Sequence, residues 1–296
     1  AGRQAFMAAT SVEIGYRESR EITRREAKNF YYAFLTLPQE RRRAIYVAYA
    51  FCRYCDDAVD TAESVDQKTA TLQSLHASLS DAYTGRSNDP LFLALADVAD
   101  RHDIPEEYFK QVIRGVESDL TKVRYRDFEE LRTYCYQVAS VVGLICLQIF
   151  GYEDESAREH AIDLGLAMQL TNIARDIQED LELGRIYLPQ DEIARFGYSE
   201  EALEAGIVNE SFINLMRFQA QRARGYFDSG FKLLPYLSPR SRACPAVMGQ
   251  LYSKVLQRIE AAKFDVFQHR ISLSKTEKLR VTAQTWFTSM LPSSPR

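Results

Sequence analysis

Asn172, Asp176 and Asp180 recur every fourth residue, a spacing that lines one face of a helix. Gln169 lies one turn before Asn172 on the same side. A second stretch repeats the pattern: Asp56 and Asp60 are four apart, with Arg53 one turn earlier. Carboxylates four apart on a helix repel, at about 0.2–0.5 kcal/mol per pair. A helix gains nothing from them unless something positive sits between. A divalent cation fits, since Mg²⁺ is commonly held by one or two carboxylates together with substrate phosphates. Taken alone, one such pair reads more readily as a solvated acidic face. Two of them shift the balance towards a site for Mg²⁺ ions and a diphosphate.

The elements that must carry these residues are legible from apolar periodicity. Leu166, Leu170, Ile173, Ile177 and Leu181 form a stripe beside the second set of carboxylates, which predicts one helix running through Asp180. Ala48, Cys52, Cys55 and Val59 do the same beside the first, within a helix predicted from Glu40 to Asp60. Two such helices can pack with their carboxylates facing across a cavity, as metal sites in helical bundles do.

Three segments resemble the motifs of the squalene/phytoene synthase family. They are Tyr49–Asp60, Gln169–Asp180 and, between them, Tyr134-Cys135-Tyr136-Gln137-Val138-Ala139-Ser140-Val141-Val142-Gly143. The resemblance runs from about Ala27 to Leu279. It implies a single isoprenoid-synthase-type helical domain over residues 1–296 around a deep apolar cavity. It also implies a Mg²⁺-dependent prenyltransferase that joins two prenyl diphosphates head to head through a cyclopropylcarbinyl diphosphate.

On that resemblance Asp56, Asp60, Asn172, Asp176 and Asp180 hold the metal ions, and the four aspartates and Tyr134 form the catalytic set. Lys28, Asn29, Arg53, Gln169, Asn172, Arg175, Tyr252 and Arg270 contact substrate. Ala27 and Asn29 stand where the family often has Ser, and Ser140 where it commonly has Gly. Tyr134 or the released diphosphate takes the proton lost as the ring closes. The stretch around Tyr134–Gly151 and the Ile271-Ser272-Leu273-Ser274 ending point to two farnesyl diphosphates and presqualene diphosphate or squalene, the latter needing NADPH. The alternatives are two geranylgeranyl diphosphates giving phytoene, or a non-catalytic assembly factor on the same fold. Such a factor is expected to lose carboxylates, and here both acidic motifs are intact.

Composition agrees with a globular helical protein: 46% of residues are hydrophobic and 26% charged. A net charge of −4 with no basic stripe argues against nucleic acid as a partner. The segments show neither strand alternation with hairpin signals nor a Rossmann, P-loop or nucleophile-elbow motif, so the fold class is all-α. Five cysteines without a secreted framework, and no evident signal peptide or long uncharged apolar run, predict a cytoplasmic protein. Its products would be oils, so peripheral membrane contact through Trp286, Phe287, Met290 and Leu291 competes with packing of a terminal core helix. The expected assembly is a monomer or weak homodimer.

Other boundaries follow from local signals. Residues 1–20 carry little pattern and are expected to be loose or to lie across the bundle, as is the tail at 292–296. Thr23 is expected to cap a helix starting near Arg24. Gly85–Pro90 reads as a loop, and Pro105 opens the next helix. Asp127–Phe150 and Ser211–Leu234 read as helices, and Gly184 ends the one before it. Val247–His269 reads as a helix preceded by a turn containing Ala243-Cys244-Pro245, and Ser274–Ser289 as the last helix.

Overall fold

The computed structural model describes residues 2–27, 30–60 and 64–290, with the side chains of residues 2–9, 59–60 and 65 outside that description. The described residues form helices and contain no β-ladder, only two isolated bridges, Arg124 with Ile186 and Tyr152 with Leu237. In chain order the helices are α1 (Gly2–Glu26), α2 (Phe30–Phe34), α3 (Gln39–Asp60), α4 (Val65–Tyr83), α5 (Pro90–Arg101) and α6 (Glu106–Ser118). Then come α7 (Phe128–Cys135), α8 (Val141–Phe150), α9 (Ala157–Arg175), α10 (Ile177–Glu182), α11 (Gln190–Arg195) and α12 (Glu200–Glu204). The last are α13 (Glu210–Gly230), α14 (Pro239–Ala261) and α15 (Lys275–Met290).

Helix starts follow the side-chain chemistry. Ser64, Asp89, Asp127, Ser199 and Asn209 each accept a hydrogen bond from a backbone N–H of the first turn that follows. One cluster of buried residues runs from Ala27 to Val281 and joins nearly all the long helices. Helix α9 lies at its centre, against α7, α8, α13 and α14.

The N-terminal segment follows the second of its two expected forms, a 25-residue helix lying on α3 and α5, tied down by Tyr16 Oη donating to Asp97 at 2.7 Å and by an Arg43–Glu13 ion pair. Four boundary expectations are corrected. Thr23 is interior to that helix, and its buried hydroxyl donates back to the Ser19 carbonyl at 2.7 Å. Polar side chains spaced for core contacts look featureless to a hydrophobic-period reading, which is why the segment carried little pattern. Helix α14 starts at Pro239 and contains Ala243-Cys244-Pro245, so the expected turn there is absent. Pro245 falls in its second turn, where it removes the N–H that would have bonded the Ser241 carbonyl, and the helix continues through it among buried residues. The chain leaves that helix at Ala262, before Arg270.

The fourth correction concerns residues 128–150. They are not one regular helix: Tyr136–Ser140 form a π turn between α7 and α8. Glycines on the two flanking helices make room for the wider turn. A Cβ at Gly165 of α9 would lie 2.7 Å from the Ala139 carbonyl oxygen, and one at Gly115 of α6 would lie 2.7 Å from Val138. Phe128–Phe150 is also the one stretch among the described residues long and apolar enough to cross a bilayer. Half of it is buried, and it packs against α6 and α9 as a core helix.

Candidate active site

A polar chamber opens between α3, α6, α7, α9 and α14. Arg53 and Asp56 line it from α3, and Tyr134 from α7. Gln169, Asn172 and Arg175 line it from α9, with Asp176 and Asp180 just beyond that helix and Tyr252 from α14. It holds about 1070 Å³ of unfilled space, part of it open to solvent. The two acidic stretches, about 120 residues apart in the chain, thus face one space.

An apolar cavity of about 670 Å³ adjoins the chamber, and Gln169 and Asn172 line both. The π turn and α8 contribute Val138, Ala139, Val142, Gly143 and Cys146, while α9 contributes Ala161, Leu164, Gly165 and Met168. Phe30 stands at one wall, stacked on Phe34 and on Tyr252 at 6.1 and 5.8 Å between ring centroids. A charged head and an oily tail can therefore share one continuous site.

The carboxylates do not sit on one uninterrupted helix as expected. Helix α9 ends at Arg175, and Asp176 adopts φ −100°, ψ 20° before α10 begins. Arg175 grips Asp176 with two guanidinium nitrogens, one of them at 2.7 Å. The pairing coincides with the end of α9, although adjacent residues can also pair within a helix, as Arg25 and Glu26 do at the end of α1. The turn repeat nevertheless survives, because Asp176 N–H donates to Asn172 at 2.8 Å and Asp180 N–H to Asp176 at 2.9 Å.

Arg270 reaches the same carboxylate from the segment after α14, at 3.0 and 3.2 Å, and also lies 3.3 Å from Glu179. Burial opposes ionisation of Asp176, but the hydrogen bonds and charges of Arg175 and Arg270 outweigh it and hold its carboxyl below the usual range. Asp180 has no such clasp. Burial, and then the negative field of Asp176, push its pKa up to about 7. Tyr252 is buried beside Arg175, and burial raises its phenol pKa. Arg53 pairs with Asp57 at 2.5 Å.

The side chain of Asp60, and Lys28 and Asn29 entirely, lie outside the described residues. Every other residue read from the sequence as part of the site, Arg270 apart, lines the chamber; Arg270 joins it through Asp176. Three polar lining residues were not read as site residues: Asp119, Arg185 and Tyr187. Asp119 does follow Val112 and Val116 on one face of α6, the only signal the sequence carried for it. Arg185 and Tyr187 come after Gly184, whose φ of +73° turns the chain back across the chamber.

Among the described residues no three acidic, histidine or cysteine side chains converge on one point that could hold a metal. The donor chemistry nonetheless suits a hard cation. Carboxylate and amide oxygens dominate the walls, and Asn172 Oδ1 is buried with no hydrogen-bond partner. The buried cysteines are free thiols, as expected of residues that fill the core.

A family model described as squalene/phytoene synthase matches residues 23–277. The chain belongs to the squalene/phytoene synthase family. It is a prenyltransferase of the kind that joins two prenyl diphosphates head to head. A phytoene synthase of Mycobacterium tuberculosis is 38% identical over 277 residues, covering 93% of this chain and 91% of that one. A 15-cis-phytoene synthase of Synechococcus elongatus is 37% identical over 284 residues, covering 92% of each. A crystal structure of a dehydrosqualene synthase in complex with ligand superposes with a TM-score of 0.88 at 28% identity, covering 95% of this chain and 98% of that one. The squalene/phytoene synthase fold thus brings the expected isoprenoid-synthase helical architecture, and the sequence motifs fall where its cavity opens.

Proposed function

We propose that this enzyme condenses two C20 allylic diphosphates, geranylgeranyl diphosphates, to phytoene through a cyclopropylcarbinyl diphosphate. The observation that carries the reading is similarity over more than nine-tenths of the chain to enzymes named phytoene synthase. This replaces the C15 substrate expected from the sequence. That expectation rested on two short stretches, whereas substrate length depends on the walls of the whole cavity. The NADPH considered for squalene has no part here, because proton loss ends the route to phytoene where squalene formation would need a hydride.

The chemistry follows from the two compartments. Departure of diphosphate leaves an allylic cation, so negative charge must be neutralised at the polar end and water kept from the apolar end. Asp56, Asp60, Asn172, Asp176 and Asp180 would hold Mg²⁺ at the chamber. When bound, Mg²⁺ supplies positive charge that offsets the leaving diphosphate. Arg175 and Arg270 already neutralise Asp176, and they can turn to phosphate oxygens as the carboxylate takes another partner. Arg53, Gln169 and Tyr252 complete the polar contacts. Phe30 and its aromatic neighbours present ring faces where the cation must survive.

The test is incubation of purified enzyme with Mg²⁺ and either the C15 or the C20 diphosphate, with and without NADPH, followed by product mass. The expected product is a C40 hydrocarbon from the C20 substrate, in equal yield without NADPH. A C30 product from the C15 substrate as the only hydrocarbon would overturn the assignment of chain length.

A further inference from the structure

Asp119 lies outside both aspartate stretches, just past the end of α6, yet it lines the polar chamber. Tyr134 Oη donates to Asp119 Oδ2 at 3.1 Å, and Tyr187 Oη donates to Asp119 Oδ1 at 2.9 Å. The two phenol rings lie nearly parallel with centroids 5.2 Å apart, and Tyr125 packs against both. Arg185 donates to the Asp119 backbone carbonyl at 3.3 Å, which fixes the turn carrying the acid. The Tyr134 hydroxyl also lies 3.3 Å from the Tyr187 oxygen, so the two phenols and the carboxylate form one network. Tyr134 lines the chamber, where a phenol oxygen can accept as well as donate.

A neutral phenol oxygen is a feeble base unless its own hydrogen can leave as it takes another. Burial, and then the nearby Asp119 charge, hold the Tyr134 phenol far above its ordinary pKa, so a standing phenolate is not the base. The structure supplies the missing acceptor one hydrogen bond away.

We propose that Asp119 is the final acceptor of the proton lost when the three-membered ring closes, reached through the Tyr134 hydroxyl. The proposal rests on the cyclopropylcarbinyl route given above. In the step, a C–H bond of the substrate breaks and its electron pair closes the ring carbon–carbon bond. The proton goes to Tyr134 Oη as the Tyr134 hydrogen passes to Asp119 Oδ2. Tyr134 ends as it began, and Asp119 ends as a neutral acid that returns its proton to the chamber by the reverse hydrogen bonds. Tyr187 holds the other carboxylate oxygen in place. Tyr134 is thus the residue that touches substrate, and Asp119 acts through it.

Asp119→Asn preserves shape and can still accept from a tyrosine, but it cannot take a proton. With the C20 diphosphate and Mg²⁺, this variant is expected to lose kcat by ~10²–10⁴-fold with KM nearly unchanged. Diphosphate release should continue, with the prenyl group trapped by water as an alcohol instead of entering the ring product. Asp119→Glu should recover part of the loss. Adding Tyr134→Phe to Asp119→Asn should cost no more than Tyr134→Phe alone, as expected of groups acting in series. The unmutated enzyme offers an independent measurement: deuterated solvent should move the partition from ring product towards alcohol. An Asp119→Asn enzyme with unchanged kcat would overturn the proposal and leave the proton to the released diphosphate. So would loss of diphosphate release in that variant, or a partition insensitive to deuterium. If the unmutated enzyme forms no cyclopropylcarbinyl diphosphate, the parent route fails instead, and the two failures are distinct.

Discussion

Asp176 and Asp180 are four residues apart and of one type, yet their surroundings drive them in opposite directions. Two arginines keep Asp176 ionised, whereas burial, and then the charge of Asp176, make Asp180 titrate near pH 7. The sign for stability follows. A carboxyl raised to about 7 binds its proton more tightly folded than unfolded, so its contribution favours the fold at mildly acidic pH. That contribution is lost as pH rises through about 7. A cation that uses Asp180 must first displace the proton. Magnesium should therefore raise the melting temperature more at pH 8 than at pH 6, read by thermal shift with and without the metal. Equal shifts at both pH values would remove Asp180 from the metal set. Asp176→Asn should lower turnover by ~10²-fold or more while leaving the helical spectrum intact. Normal turnover would mean that the second acidic stretch is misassigned.

At the scale of elements, the breaks in helices do the positioning. Arg175 and Asp176 pair where α9 ends, and the π turn puts Val138 and Ala139 in the wall of the apolar cavity. π turns often mark functional sites because they re-aim side chains without ending the helix. This one depends on close approach of α9. Gly165→Ala would press a methyl group against the Ala139 carbonyl and the Ser140 Cα, both under 3.0 Å away. The backbone there cannot step aside cheaply, so the variant should lose about 1–3 kcal/mol of stability, measured by denaturant unfolding. No change in the unfolding midpoint would mean that the contact is looser than the geometry indicates.

At the scale of the whole molecule, the site is a charged mouth on an oily cavity, and the cavity sets what fits. Val142 lies on the cavity wall with small residues around it. Val142→Phe should shorten the available space and move preference from the C20 to the C15 diphosphate, read as the ratio of C40 to C30 products in a competition assay. An unchanged ratio would place the chain-length limit elsewhere. The surface carries a second apolar feature. Trp286, Phe287 and Met290 stand exposed together near the end of α15, with the two rings 5.1 Å apart. A terminal helix fully packed into the core would have hidden them. The enzyme is expected to float with phospholipid vesicles, and the paired change Trp286→Ala and Phe287→Ala to reduce that binding. Protein left entirely in the soluble fraction would exclude contact with lipid.

Helical spacing pointed to a cation and diphosphate site, and the resemblance of three segments to a family supplied the reaction. Like-charged carboxylates at successive turns beside an apolar stripe are a local pattern, so the acid pairs, the long third helix and the all-α class were open to reading. The clasp on Asp176 was not, because one of its two arginines, Arg270, comes from nearly a hundred residues away. Asp119 and Tyr187 were equally hidden: neither repeats at a helical period with another acid, and only folding sets both beside Tyr134. Periodicity reports which face of one helix is polar. Which polar groups end up within 3 Å of one another is decided by how separate helices pack, and that belongs to the folded chain.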